Sequence, residues 1–101
     1  MSLSPRSRNK LKVPEEIVSL IRGSHPQIKR KIKAALRNIL DDPVQGKRLR
    51  EELTGLRTYK VGRFRIIYRE SSENYIEVVA IGPRKTIYEE TFRIIKKEQH
   101  L

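Results

Sequence analysis

Four residues of this sequence have side chains that could serve a phosphoryl-transfer site, Lys60, Arg65, Arg84 and Tyr88, the alternative being a surface charge near a turn for Lys60 and Arg84 and half-buried packing for Tyr88. Phosphoryl transfer asks a protein mainly for positioning and charge stabilisation, which arginine and lysine supply. Cleavage of RNA asks in addition that the 2′-hydroxyl be activated and the leaving oxygen protonated. A lysine or tyrosine whose pKa is lowered by nearby positive charge can share those tasks. Arg65 lies in "VGRFRIIYRE" (61–70), where Phe64, Ile66 and Tyr68 alternate with Arg63, Arg65, Ile67 and Arg69. Alternation sends the two sets to opposite faces of a strand. The arginine face is then either solvated or built to hold an anion. Lys60 ends the preceding strand-like run, Arg84 follows an apolar run in "IGPRK", and Tyr88 comes one helical turn after Arg84. In a meander of strands such end positions can converge on one face. A further basic cluster, "GKRLRE" (46–51), suits a solvated turn and a phosphate-contacting patch equally well.

Other chemistries find no support. There is no Ser/His/Asp or Cys/His arrangement, no phosphate-cradling G-x-x-x-x-G-K and no carboxylate pair in an expected cleft. The chain has no cysteine, and its two histidines, His25 and His100, stand far apart. Neither a disulfide framework nor a metal site is expected, and no cofactor is implied. Lys plus Arg is 23 against 12 for Asp plus Glu, a net charge of +11. Such an excess repels itself in a compact fold; phosphate backbones, an anionic membrane surface or an acidic protein are the usual compensations, and a merely soluble basic domain is the alternative. No apolar run reaches a membrane span, and "MSLSPRSRNK" lacks a signal-like apolar core. The expectation is a soluble, cytoplasmic protein with no membrane partner.

The elements that must position these residues can be read in order. A length of 101 residues predicts one domain, here residues 11–101 behind a flexible basic arm, 1–10. "LKV" (11–13) reads as a short strand. Pro14, Glu15 and Glu16 open a first helix, which Gly23 ends. Ser24 and Gln27 suggest a capping box for a second helix, with an apolar stripe of Ile28, Ile32, Leu36, Ile39 and Leu40 ending at Asp41-Asp42-Pro43. Three runs, 56–61, 63–70 and 75–81, predict an antiparallel meander with the last strand central. Thr86 and Glu89 suggest a second capping box for a final helix carrying Tyr88, Phe92 and Ile95. The fold class is α+β, ordered β-α-α-β-β-β-α, with the helices on one sheet face and the other face partly open.

"LTGLRTYKVGRFRIIYRE" followed by "VVAIGPRKTIYEE" resembles the RelE/ParE superfamily of toxin–antitoxin toxins. The likeness extends over about residues 11–95. It implies a microbial-RNase-like, RelE-like fold and a growth-inhibiting toxin held inactive by a cognate acidic antitoxin, with operator DNA reached only through that antitoxin. RelE-type members cleave mRNA on the ribosome without metal. By this resemblance Arg65 contacts the scissile phosphate region, Arg84 stabilises the transition state, Tyr88 stacks on or activates the nucleotide, and Lys60 is a basic partner on the preceding strand. Lys47, Arg48, Arg57, Arg63, Arg69 and Lys85 are the surrounding RNA-binding candidates. Two positions depart from the pattern: some relatives carry acid–base lysines where this chain has Leu56 and Thr58. Arg57, adjacent to both, should point to the opposite face from Thr58. The ParE-like branch shares the fold and inhibits DNA gyrase instead, and a non-catalytic relative that only binds RNA is a third reading. Retention of Arg84 with Tyr88 favours the mRNA interferase branch.

Overall fold

The computed structural model describes residues 9–72 and 74–99. Asn9 and Lys10, assigned to the arm from the sequence, belong to the fold: Asn9 Nδ2 donates to the Leu40 carbonyl at 3.0 Å, and Lys10 opens the first strand. The rest of the expected arm lies outside the described residues. The elements are β1 (Lys10–Lys12), α1 (Glu15–Arg22), α2 (Pro26–Asp41), β2 (Lys47–Arg48), β3 (Arg57–Val61), β4 (Phe64–Glu70), β5 (Tyr75–Pro83) and α3 (Arg84–Gln99). Single 3₁₀ turns at Pro43–Gln45 and Glu51–Leu53 flank β2. Among the described residues, no helix is long and apolar enough to cross a membrane.

The sheet order is β1-β5-β4-β3-β2. The three long strands form the expected antiparallel meander, and β1 pairs parallel with β5. The apolar β5 is interior, though β4 holds the centre. Gly62 takes φ +60° at the β3–β4 turn, and Val61 pairs with Phe64 across it. A positive φ at the first turn residue is the demand of a two-residue hairpin of this kind, and glycine meets it without steric cost.

The helices do not share one sheet face. α1 and α2 pack through Ile17, Ile21, Ile32, Leu36 and Ile39 onto Ile66, Tyr68, Ile76, Val78 and Ile81. On the opposite face Ile87, Tyr88 and Ile95 of α3 pack with Leu56, Ile67, Val79 and Ala80. A bulge makes this two-sided arrangement possible. Ile67 pairs with Ala80 and Tyr68 with Val78, leaving Val79 as the extra residue. Val79 and Ala80 therefore both turn toward α3, between Val78 and Ile81 on the hairpin side. The near-continuous apolar run of β5 has this cause: the strand is covered on both faces.

Neither expected capping box forms. His25 is the N-cap of α2, its Nδ1 accepting from the Gln27 N–H at 3.2 Å. Pro26 fixes that choice, since the residue before a proline is held extended and a helix then starts at the proline. Ser24 Oγ instead donates to the Leu20 carbonyl at 2.7 Å, closing α1. α3 starts directly from the end of β5, with Arg84 N–H donating to the Arg63 carbonyl at 2.9 Å. Thr86 is already inside the helix.

Candidate functional site

Strand register builds the site. Lys60 on β3 is the direct partner of Arg65 on β4, and Arg65 is the partner of Gly82 on β5. The adjacent row runs Lys47, Thr58, Ile67, Ala80 across β2 to β5. Ile67 and Ala80 pack under α3, so this row faces α3. The Lys60–Arg65 row, two residues further along each strand, faces the same way. Gly82 lets the helix approach closely: a Cβ there would meet Ile87 Cδ1 at 3.1 Å and Glu90 Oε1 at 3.6 Å.

From above, α3 lowers Tyr88 onto this face, where its hydroxyl is 3.4 Å from Thr58 Oγ1. Arg84 lies one turn earlier on the same side of the helix and is exposed. Arg65 is held by its own hairpin: Nη1 donates to the carbonyls of Gly62 at 3.1 Å and Phe64 at 2.8 Å. That anchorage occupies one edge of the guanidinium and leaves the planar fork to meet an anion. Among the described residues the ion pairs are those of Arg69 with Glu77 and Glu98 and of Arg93 with Glu89. Lys60, Arg65 and Arg84 take part in none of them, so their charge is available to a ligand.

The structure thus brings Lys60, Arg65, Arg84 and Tyr88 to one end of the α3 face. Lys47 joins them through Thr58, Arg63 lies in the β3–β4 turn, and Lys85 is exposed in the first turn of α3. Three other basic candidates are elsewhere. Arg57 points to the opposite face from Thr58 and donates through Nη1 to the carbonyls of Val44 at 3.1 Å and Gly46 at 2.9 Å. It braces the chain leading into β2. Arg48, its cross-strand partner, shares that face. Arg69 does not extend the positive field: it is paired with Glu77 at 2.9 Å and Glu98 at 3.0 Å, toward the far end of α3. Those bonds, to Glu98 first and then Glu77, raise its pKa further above the ordinary arginine value.

Thr58 and Tyr68 carry roles that the sequence did not disclose. Thr58 is buried and supplies the hydroxyl beside Tyr88; Leu56, the other position lacking a lysine, is spent in the core. Tyr68 is fully buried, donates to the Pro43 carbonyl at 2.6 Å and accepts from the Gly46 N–H at 3.1 Å. Burial pushes its phenol pKa upward, so Tyr68 is a structural tyrosine that pins the start of β2. Gly46 has no room for a side chain, because a Cβ would collide with the Tyr68 hydroxyl. The signal for Thr58 and Lys47 was strand register, which pairwise alternation along one strand cannot supply.

A family model described as the ParE toxin of type II toxin–antitoxin systems (parDE) matches residues 8–88. No curated protein sequence matches the chain significantly. Among solved structures, a free double arginine-to-alanine variant of the Escherichia coli RelE toxin is similar with a TM-score of 0.70 at 18% identity, covering 90% of this chain and 97% of that one. A chain of the RelBE2 toxin–antitoxin complex from Mycobacterium tuberculosis gives 0.65 at 21%, covering 76% and 99%. A chain of the archaeal RelE–RelB complex from Pyrococcus horikoshii gives 0.63 at 22%, covering 76% and 96%. At these identities the likeness is one of fold, and it accounts for the hairpin, the sheet and α3 together. With the family model spanning most of its length, the chain belongs to the ParE toxin family of type II toxin–antitoxin systems, within the RelE/ParE superfamily.

Proposed function

We propose that this toxin is a ribosome-dependent mRNA endonuclease that works without a metal and blocks translation in the cytoplasm. The observation that carries the reading is the placement of Lys60 and Arg65 as cross-strand partners beneath a helix that begins with Arg84 and presents Tyr88 over the same face. In the reaction this geometry suits, the RNA 2′-oxygen attacks the adjacent phosphorus and the bond to the 5′-oxygen breaks. The products are a 2′,3′-cyclic phosphate and a 5′-hydroxyl. One proton leaves the 2′-hydroxyl and one is delivered to the 5′-oxygen. Arg65 and Arg84 stabilise the charge on the transferring phosphate. Tyr88 offers a ring for stacking and a hydroxyl for proton transfer, and Lys60 lies beside Arg65 as the amine able to move a proton. Single-turnover cleavage of mRNA on programmed ribosomes tests the reading: wild-type protein should cut, and Arg65→Ala and Arg84→Ala should be slowed. Intact message with the wild-type protein overturns it.

The match to a ParE model favours a second reading, inhibition of DNA gyrase without nuclease activity. A supercoiling assay separates the two, since inhibited supercoiling with intact mRNA supports gyrase and the reverse supports cleavage. Under either reading the partner is a cognate acidic antitoxin, as the RelB-bound relatives suggest. A segment carrying negative charge would order on this +11 domain and mask the surface that RNA uses, with operator DNA reached only through it.

A further inference from the structure

The outer face of α2 carries a charge pattern that the cleavage site does not use. Gln27, Arg30, Lys31, Ala34 and Arg37 line a shallow groove of about 600 Å³. Their spacing of three and four residues makes this one stripe along the helix. Arg30, Lys31, Lys33 and Arg37 are all exposed, and none is in an ion pair among the described residues. The helix has no carboxylate until its last residue, Asp41. Ala34 keeps the middle of the stripe low, so the cations stand on either side of a furrow, with Arg30 and Arg37 about 10 Å apart along the axis at 1.5 Å per residue.

We propose that this stripe is a second RNA-docking surface, which contacts the phosphate backbone of a structured RNA while the α3 face holds the strand to be cut. The inference rests on the nuclease reading above, under which that RNA belongs to the ribosome. Phosphate contacts need only exposed cations at suitable spacing. A protein segment that orders on binding needs apolar anchors as well, and among the described residues the exposed large apolar side chains are Leu20, Val44, Tyr75 and Ile94, none of them on α2. The stripe also faces away from the sheet, opposite the Lys60–Arg65 row. The domain is 23 Å across its shortest dimension, so a folded RNA that touches both sides must present phosphates on two facing walls.

The test uses the triple variant Arg30→Glu, Lys31→Glu, Arg37→Glu and its milder glutamine counterpart, both checked by circular dichroism melts. Binding to vacant ribosomes is measured between about 50 and 200 mM salt. Both variants should bind more weakly, the glutamate form at least tenfold. The log–log salt slope of the glutamine form should drop by about 2–3, from three contacts at about 0.9 each on double-stranded backbone and about 0.7 on single strands. Cleavage on saturated programmed ribosomes should stay at the wild-type rate. Unchanged affinity and slope in both folded variants overturn the proposal. So does lost affinity for the antitoxin with ribosome binding intact, which would assign the stripe to an acidic protein. Wild-type binding without any cleavage sinks the nuclease reading alone, while a wild-type protein that never binds ribosomes overturns both.

Discussion

Arg65 and Arg84 are each expected to be worth a preorganised donor on a phosphate whose charge grows in the transition state. Arg65→Ala and Arg84→Ala should each slow single-turnover cleavage by about 10²–10³-fold. Arg84 is exposed and Arg65 half-buried over its own hairpin, so both variants should melt close to wild type. Arg84→Lys should recover little, because a point charge does not replace a planar fork. For Tyr88 the two roles separate by substitution. Tyr88→Phe keeps the ring and loses the hydroxyl that meets Thr58. If the hydroxyl moves a proton, Tyr88→Phe should be as slow as Tyr88→Ala. Tyr68 has a structural task, although it shares β4 with Arg65. Tyr68→Phe leaves the buried Gly46 N–H and the Pro43 carbonyl without partners, at a cost of about 1–3 kcal/mol in a denaturant melt. Its raised pKa also has a pH consequence. Above the ordinary phenol value of 10.0 the unfolded chain gives up this proton while the folded one keeps it. Stability is then fully present below that value and falls as pH rises toward the folded pKa. Tyr68→Phe should remove that alkaline loss.

α3 connects the end of the sheet that carries the proposed site to a purely structural one. Its first two turns carry Arg84, Lys85 and Tyr88, and its last turns are tied down by the Glu98–Arg69–Glu77 bridge. Arg69→Ala should cost about 1 kcal/mol, the value of a partly exposed charged network. It should leave cleavage near wild type, since the arginine is already neutralised. A large loss of ribosome affinity in this variant would return Arg69 to the RNA surface. Gly46→Ala should be worse than a typical surface change, by about 1–3 kcal/mol of overpacking against Tyr68. The elements themselves were readable where periodicity ran long. The stripe of α2 and the alternation of β4 are visible because burial on one face leaves a period in the residues. Helix starts were misread at Ser24 and Thr86 because a capping motif works only where the backbone leaves the helix. Pro26 in one case and the strand ending at Pro83 in the other had already placed the start.

The whole domain is held together around a sheet covered on two faces, yet it remains heavily basic. Ribosome affinity should therefore fall steeply with salt, with a slope of about 0.7 for each single-strand phosphate contact. Salt-independent binding would remove the electrostatic account of recognition. Antitoxin and ribosome should compete, because each neutralises the same excess charge. Simultaneous binding at unchanged affinity would show that the antitoxin acts elsewhere.

The sequence alone determined the α+β class, the helical hairpin, the meander and the basic character of the surface, since each is a local pattern or a sum over residues. It also singled out Lys60, Arg65, Arg84 and Tyr88, through motif spacing that the resemblance made legible. Tertiary structure decided which cations share a space. Cross-strand register put Lys60 against Arg65 and Lys47 beside Thr58, and the Val79 bulge gave α3 a face of its own. Partners distant in sequence assigned the arginines their work: Val44 and Gly46 claimed Arg57, and Glu77 and Glu98 claimed Arg69. The physical reason is the range of each interaction. Hydrophobic period is written along a few neighbouring residues, whereas a guanidinium's charge is free or spent according to what the folded chain brings within about 4 Å of it.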